Sequence, residues 1–195
     1  MNSVNANIER YLTSWGKEVI KKAKRNLQDG GKGGGNLEKS LKAVVKESPN
    51  GSMSVEFMMA DYGTFVDKGV KGAGGEIKTG KHAGQWGGRR WFINYKGKRQ
   101  DSPYKYGTGT GAKGGMSKGI GSFIKKKGLQ PRNEKGQYQS PLGLKIAIMK
   151  VIWTKGIHGI SFFQNSLMLG IGTLKENLGK EIADGLIEDI KNKLK

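Results

Sequence analysis

The chain contains no cysteine, only four prolines and only two histidines. Without cysteine there is no disulfide-stapled scaffold, no thiolate zinc site and no thiol nucleophile. Four prolines without a Gly-X-Y period exclude collagen, although glycine numbers 33. His82 and His158 have no carboxylate at ligand spacing, so no metal site is expected. No apolar run approaches the ~18 residues of a membrane span. Residues 1–10 lack a basic stretch followed by an apolar one, so no secretory signal is expected. Acid is scarce as well: 16 Asp and Glu face 35 Lys and Arg, a formal net charge of +19 over 195 residues. These absences leave a soluble, strongly basic protein of a reducing compartment, read as one domain with an insertion.

The positive charge is local. Residues 68–136 hold 17 Lys and Arg against Glu76, Asp101 and Glu134, a net of +14, together with 18 of the glycines. The remaining residues hold 18 basic and 13 acidic side chains, a net of +5. A single domain is therefore expected, with 1–67 and 137–195 forming the core and 68–136 forming a basic glycine-rich arm. Such an arm has too little apolar surface to offset its own ordering entropy and is expected to order against a partner. Short structured pieces are expected at 86–95 and 119–127.

Val4, Ile8, Leu12, Trp15, Val19, Ala23 and Leu27 recur at steps of three or four, which predicts an amphipathic helix ended by Asp29-Gly30-Gly31. Residues 30–35 read as a flexible connector. Residues 37–47 and 52–59 read as two extended segments joined by Pro49-Asn50-Gly51, hairpin chemistry because Asn and Gly tolerate positive φ. Residues 60–68 read as a short helix or turn. Ser140-Pro141 is a helix start, and Leu142, Ile146, Met149 and Trp153, widened by Ile148, Val151 and Ile152, predict a core helix ended by Gly156. A last helix is expected over 173–194, with Leu174, Leu178, Ile182, Leu186 and Ile190 at steps of four. The fold class expected is α+β: terminal amphipathic helices and a central apolar helix packed on a small antiparallel sheet. Phe57, Tyr62, Phe65, Trp153, Phe162 and Phe163 are expected as its structural core.

Two glycine motifs fail on context. Residues 75–82 nearly spell a Walker A loop, but His82 stands where a hydroxyl must bind Mg²⁺, and no apolar strand precedes. Gly109-Thr110-Gly111-Ala112-Lys113-Gly114 satisfies G-x-G-x-x-G without a buried strand before it or a helix-forming run after it. No nucleophile elbow accompanies either histidine, and the carboxylates fall mainly on solvated positions of the terminal helices. Catalytic, cofactor and metal residues are therefore not expected.

What the arm does carry is cations among aromatics. Arg89, Arg90, Lys96, Lys98, Arg99 and Lys105 are interleaved with Trp86, Trp91, Phe92, Tyr95, Tyr104 and Tyr106, and Lys125, Lys126 and Lys127 follow. This pattern suits phosphate neutralisation and base stacking in a nucleic-acid-binding module. It equally suits a protein interface anchored by Trp, Tyr and Arg. A solvated basic loop is the third reading.

The order of elements resembles a family. Gly34-Gly35-Asn36-Leu37-Glu38-Lys39-Ser40-Leu41, after a basic amphipathic helix, resembles the T-G-x-L-x-x-S-I stretch of tailed-bacteriophage neck and tail-completion proteins. Ala60-Asp61-Tyr62-Gly63-Thr64-Phe65-Val66-Asp67-Lys68-Gly69 is similar to that family's Y-A-x-Y-V-E-x-G stretch, with Asp67 for Glu. Residues 155–163 resemble its G-x-x-x-x-P-F-F-x-x-A-L stretch, with Ser161 for Pro. Residues 123–136 are similar to a variant in virion proteins of large phages. The resemblance implies a non-enzymatic virion protein of the head–tail connector, neck or tail, assembled in the host cytoplasm. It implies a homo-oligomeric ring, commonly of roughly six or twelve copies, with portal, adaptor or tail proteins as neighbours, possible contact with genomic DNA and no membrane. Residues 68–136 would be the partner-binding arm. A ring also raises a charge problem, since each copy brings +19. Acidic counter-surfaces or DNA in the channel are expected to compensate.

Overall fold

The computed structural model describes residues 3–74, 90–106, 115–137 and 140–193. The protein is α+β. Its described elements run α1 (Ser3–Asp29), α2 (Asn36–Ser40), β1 (Lys42–Glu47), β2 (Met53–Met58), α3 (Gly63–Lys68), β3 (Val70–Lys71), β4 (Trp91–Ile93), β5 (Arg99–Asp101), α4 (Gly115–Lys127), α5 (Pro141–Lys155), β6 (Gly156–Ile157) and α6 (Phe162–Lys193). The strands form three two-stranded sheets, β1–β2, β3–β6 and β4–β5. The chain divides into two compact units, 1–67 with 93–100 and 160–195, and 68–92 with 101–159.

In the first unit the period of α1 decides the packing. Leu12, Trp15, Val19, Ala23 and Leu27 are all buried, as their spacing predicts. Gly31 ends the helix at φ +66, with its N–H on the Gln28 carbonyl and that of Lys32 on the Leu27 carbonyl. This Schellman pattern satisfies carbonyls that the helix leaves open. β1 and β2 pair antiparallel from Lys42 opposite Met58 to Glu47 opposite Met53. Met53, Val55, Phe57 and Met59 are half-buried while Ser54, Glu56 and Met58 are exposed, so the alternation sets the face. Residues 37–40, expected as the start of the first extended segment, lie instead in α2, a turn of helix that buries Leu37.

The cluster of Ile20, Ala23, Leu27, Leu37, Leu41 and Phe162 is the core of this unit, with Phe57, Val66, Ile160 and Phe163 packed partly buried against it. Phe57 bridges Trp15 and Phe163 by edge-to-face contacts at 5.7 and 5.3 Å, a favoured aromatic geometry. Of the expected core aromatics, Phe162 is fully buried and Phe163 partly so. Tyr62 and Phe65 are corrections: they are 46% and 43% exposed. α3 is only six residues long, and Gly63, Val66 and Asp67 turn inward, which sends the residues at 62 and 65 outward.

α6 begins at Phe162, well before the expected Thr173. Gly170 and Gly172 obscure it in the sequence. A Cβ on Gly170 would lie 2.6 Å from Val19 Cγ2, and Trp15 Nε1 donates to the Gly170 carbonyl at 2.7 Å. The glycine is there because α1 and α6 meet at it, and the helix around it is uninterrupted.

In the second unit β3 pairs antiparallel with β6, Val70 opposite Ile157 and Lys71 opposite Gly156. Lys71 also bonds to 104–106 on its other side, its N–H to the Tyr104 carbonyl and its carbonyl to the Tyr106 N–H. Gly156 has φ +76, and a Cβ there would collide with the Val70 carbonyl. So the residue that stops α5 also admits the neighbouring strand. α5 starts as predicted, with the Ser140 hydroxyl accepting from the Leu142 N–H and Pro141 in the first turn. Its expected place in the core is wrong. No residue of α5 is buried, and Leu142, Ile146, Val151 and Trp153 are 48–60% exposed. The helix is apolar around its circumference, so its periodicity names no buried face. Its packing partner α4 offers only the narrow buried stripe of Ile120 and Ile124.

Candidate partner-binding surfaces

The residues expected to form one basic-aromatic arm are divided between the units. Lys96, Lys98 and Arg99 belong to the first; Arg90, Trp91, Lys105, Lys125, Lys126 and Lys127 belong to the second. Arg89, Trp86, the near-Walker stretch 75–82 and the G-x-G-x-x-G at 109–114 lie outside the described residues.

The aromatics are engaged as structure more than counting suggests. Phe92 is buried, with Lys68 Nζ 5.7 Å from its ring centroid. Trp91 is half-buried and packs edge-on to His158 at 5.8 Å. Tyr106 packs against Trp153 at 6.0 Å, and burial pushes the Tyr106 phenol pKa up. Tyr95 is exposed beside Lys96. A base-stacking platform needs open ring faces, and Tyr95 is the exposed ring of β4–β5.

The turn carrying Lys96 is built twice. Asn94-Tyr95-Lys96-Gly97-Lys98 closes with the Asn94 N–H on the Lys98 carbonyl and the Gly97 N–H on the Asn94 carbonyl. Asn94 Oδ1 accepts from the N–H of Lys96 and Lys98, each at 3.0 Å. Asn133-Glu134-Lys135-Gly136-Gln137 repeats each bond in register. The glycines have φ +73 and +77. The shared signal, Asn-x-Lys-Gly, is present in the sequence, but hydropathy patterning passes over it. Both turns hold a lysine at the tip of a rigid loop, because the asparagine side chain satisfies two backbone donors.

The helical pair of the second unit is a basic, apolar surface. α4 carries Lys118, Lys125, Lys126 and Lys127, α5 carries Lys145, Lys150 and Lys155, and neither carries an acid. α4 ends on Gly128 at φ +60 with the same Schellman bonds as α1.

The first unit presents the opposite chemistry. A groove of about 430 Å³ runs between α1, β2 and α6, lined by Ile8 and Leu12, by Val55, and by Leu174, Leu178 and Ile182. No lining residue is charged. At Ile182 the groove runs out onto the far end of α6, where Leu186, Ile187 and Ile190 are 50–57% exposed. The stretch 181–190 holds Glu181, Asp184, Glu188 and Asp189 and no base, between Lys180 and Lys191.

One buried carboxylate has a structural role. Asp67, 2% exposed, accepts at Oδ1 from the N–H of Phe163 at 2.8 Å and of Gln164 at 3.4 Å, and its carbonyl accepts from the Ser161 N–H. It is an N-cap supplied from a distant part of the chain. Ser161, just before α6, has φ +51 and accepts at its hydroxyl from the Ile93 N–H. That φ is closed to proline. Glu38 accepts from the Gly34 N–H at 2.6 Å and from Gln28 at 2.7 Å, and the Gly34 bond chiefly holds its carboxyl below the ordinary value. The connector is thus pinned at one end.

Among the described residues, no three of His, Asp and Glu gather as a metal site, and no helix is long and apolar enough to cross a membrane. Against family models, curated proteins and solved structures, the chain has no match.

Proposed function

We propose that this chain is a non-catalytic virion structural protein of a tailed bacteriophage, a ring-forming subunit of the head–tail connector, neck or tail. The observation that carries the reading is that the three family-like stretches interlock. Leu37 and Leu41 from the first, Ala60 and Val66 from the second, and Ile160, Phe162 and Phe163 from the third share one cluster. Hydrogen bonds tie them in turn. The Ser40 hydroxyl accepts from the Ala60 N–H at 2.9 Å, and Asp67 caps α6 at Phe163. Leu37, Ser40, Leu41 and Asp67 of these stretches thus have physical roles. There are apolar anchors, a hydroxyl that joins two segments, and an acid that caps the last helix. The exposed apolar surfaces of α5 and the end of α6 are what a subunit that assembles needs.

Nuclease-treated protein, weighed in solution and imaged in negative stain, tests this. Closed rings of uniform mass are expected. A monomer across micromolar concentrations overturns it. The second reading, a nucleic-acid-binding module, draws on the acid-free lysines of α4 and α5. It predicts oligonucleotide binding that weakens steeply as salt rises from about 50 to 200 mM.

A further inference from the structure

We propose that the groove of the first unit and the acidic end of α6 together form a docking site for helix α5 of a second copy of this chain. The proposal rests on the ring reading and names the contact that would build the ring.

Three observations converge on that occupant. The first is apolar match. The groove is uncharged and continues onto Leu186, Ile187 and Ile190, and α5 offers the exposed stripe Leu142, Ile146 and Trp153. Exposed patches of this kind on both surfaces mark interaction sites. The second is charge. The stretch 181–190 of α6 has four acids and no base, between Lys180 and Lys191, whereas α5 has three lysines and no acid. Lys150 borders the α5 stripe at helical spacing from Ile146 and Trp153. Asp184, one turn before Ile187, flanks the apolar face of α6 on its Ile187 side. Complementary rims of this sort set register and exclude wrong partners. The third is length. At 1.5 Å per residue, the α6 face from Leu174 to Ile190 spans about 24 Å and the whole of α5 about 22 Å. The groove takes the Leu174–Ile182 half of that face, about 12 Å, and the exposed residues beyond it the other half, so one helix can lie along both.

The two surfaces are different patches of the chain. Docking one onto the other is therefore heterologous, and such contacts repeat until they close into a ring or grow as a filament. At this interface the acids of one copy meet the lysines of the next, which offsets repulsion locally while each copy keeps its net +19.

The absence of native cysteine makes a clean test. The full chain is prepared as Ile146→Cys and as Leu186→Cys, and the two are mixed and oxidised, with each oxidised alone as the control. The expected result is a mixed cross-linked pair exceeding either self-pair by about tenfold, with the doubly substituted chain forming a ladder of multimers. Dominant self-pairs, or a double variant that closes within one chain, would overturn the proposal. Uncross-linked rings of unchanged mass would also overturn it while leaving the ring reading intact; absence of any ring would sink both. As a check on folding, Lys150→Glu should weaken association at least about tenfold and Asp184→Lys in the same chain should restore it. If Lys150→Glu instead abolishes oligonucleotide binding and leaves the mass unchanged, α5 is a nucleic-acid surface and the proposal fails.

Discussion

The two units of the chain differ in how they are held. The first carries 18 basic and 13 acidic residues and closes around one cluster, with Phe162, Ala23 and Leu27 without exposed surface. The second carries 17 basic residues against three acids, a net of +14. Its buried apolar residues among those described are Val70, Phe92, Ile120 and Ile124, spread over three elements. Backbone pairing on both sides of Lys71 supplies what side-chain burial does not. A helix can therefore be strongly apolar, as α5 is, and hold no buried residue, because burial needs a second apolar surface to meet. The first unit has that surface within the chain; the second exposes it.

The largest effect should come from the centre of the first unit. Phe162→Ala is expected to cost about 3–5 kcal/mol in urea denaturation, through lost transfer energy and the cavity left behind. A loss under about 0.5 kcal/mol would mark a surface position and erase the contrast between the units. Next is the helix contact at Gly170. Gly170→Val should cost about 1–3 kcal/mol by overpacking Val19 and Trp15. Gly172→Ala, where an added Cβ meets nothing within 4 Å, should instead stabilise by up to about 1 kcal/mol. Equal losses at both sites would mean that α1 and α6 do not meet at Gly170.

Asp67→Asn should lower stability by about 1–2 kcal/mol through a weakened cap on α6, read as a fall in Tm. Tyr62→Ala and Trp153→Ala should each change the stability of the unassembled chain by less than about 1 kcal/mol, while Trp153→Ala changes assembly. Large losses at both would return these rings to a core. The smallest expected effect is that of pH on Glu38, whose bonds to Gly34 and Gln28 lie at the surface. Its folded pKa is lowered, so its contribution is complete above the ordinary glutamate value and is lost as pH falls through the folded one. Denaturation of the native chain and Glu38→Gln at stepped pH should show a difference that shrinks in acid; a difference that grows in acid would reverse the sign.

Periodicity makes α1 and the β1–β2 hairpin legible in their inward-facing residues, because one face of each meets a core and the other meets water. It fails for the start of α6, where Gly170, required by a neighbouring helix, and the open Gly172 look like breaks. It fails for Tyr62 and Phe65, where a six-residue helix is too short to define a face. The Asp67 cap is out of reach, since its partner lies 96 residues away. The paired Asn-x-Lys-Gly turns are within reach, because their bonds are local.

Composition and near neighbours along the chain were enough to settle the segregation of charge, the buried face of α1, the cap of α5 and the exclusion of cysteine chemistry. Folding was needed to settle which aromatics are buried, that the basic segment is shared between two units, and that the most apolar helix has no buried residue. It also left Leu186, Ile187 and Ile190 of α6 exposed. Burial is a property of pairs of surfaces, and a sequence describes those surfaces one at a time.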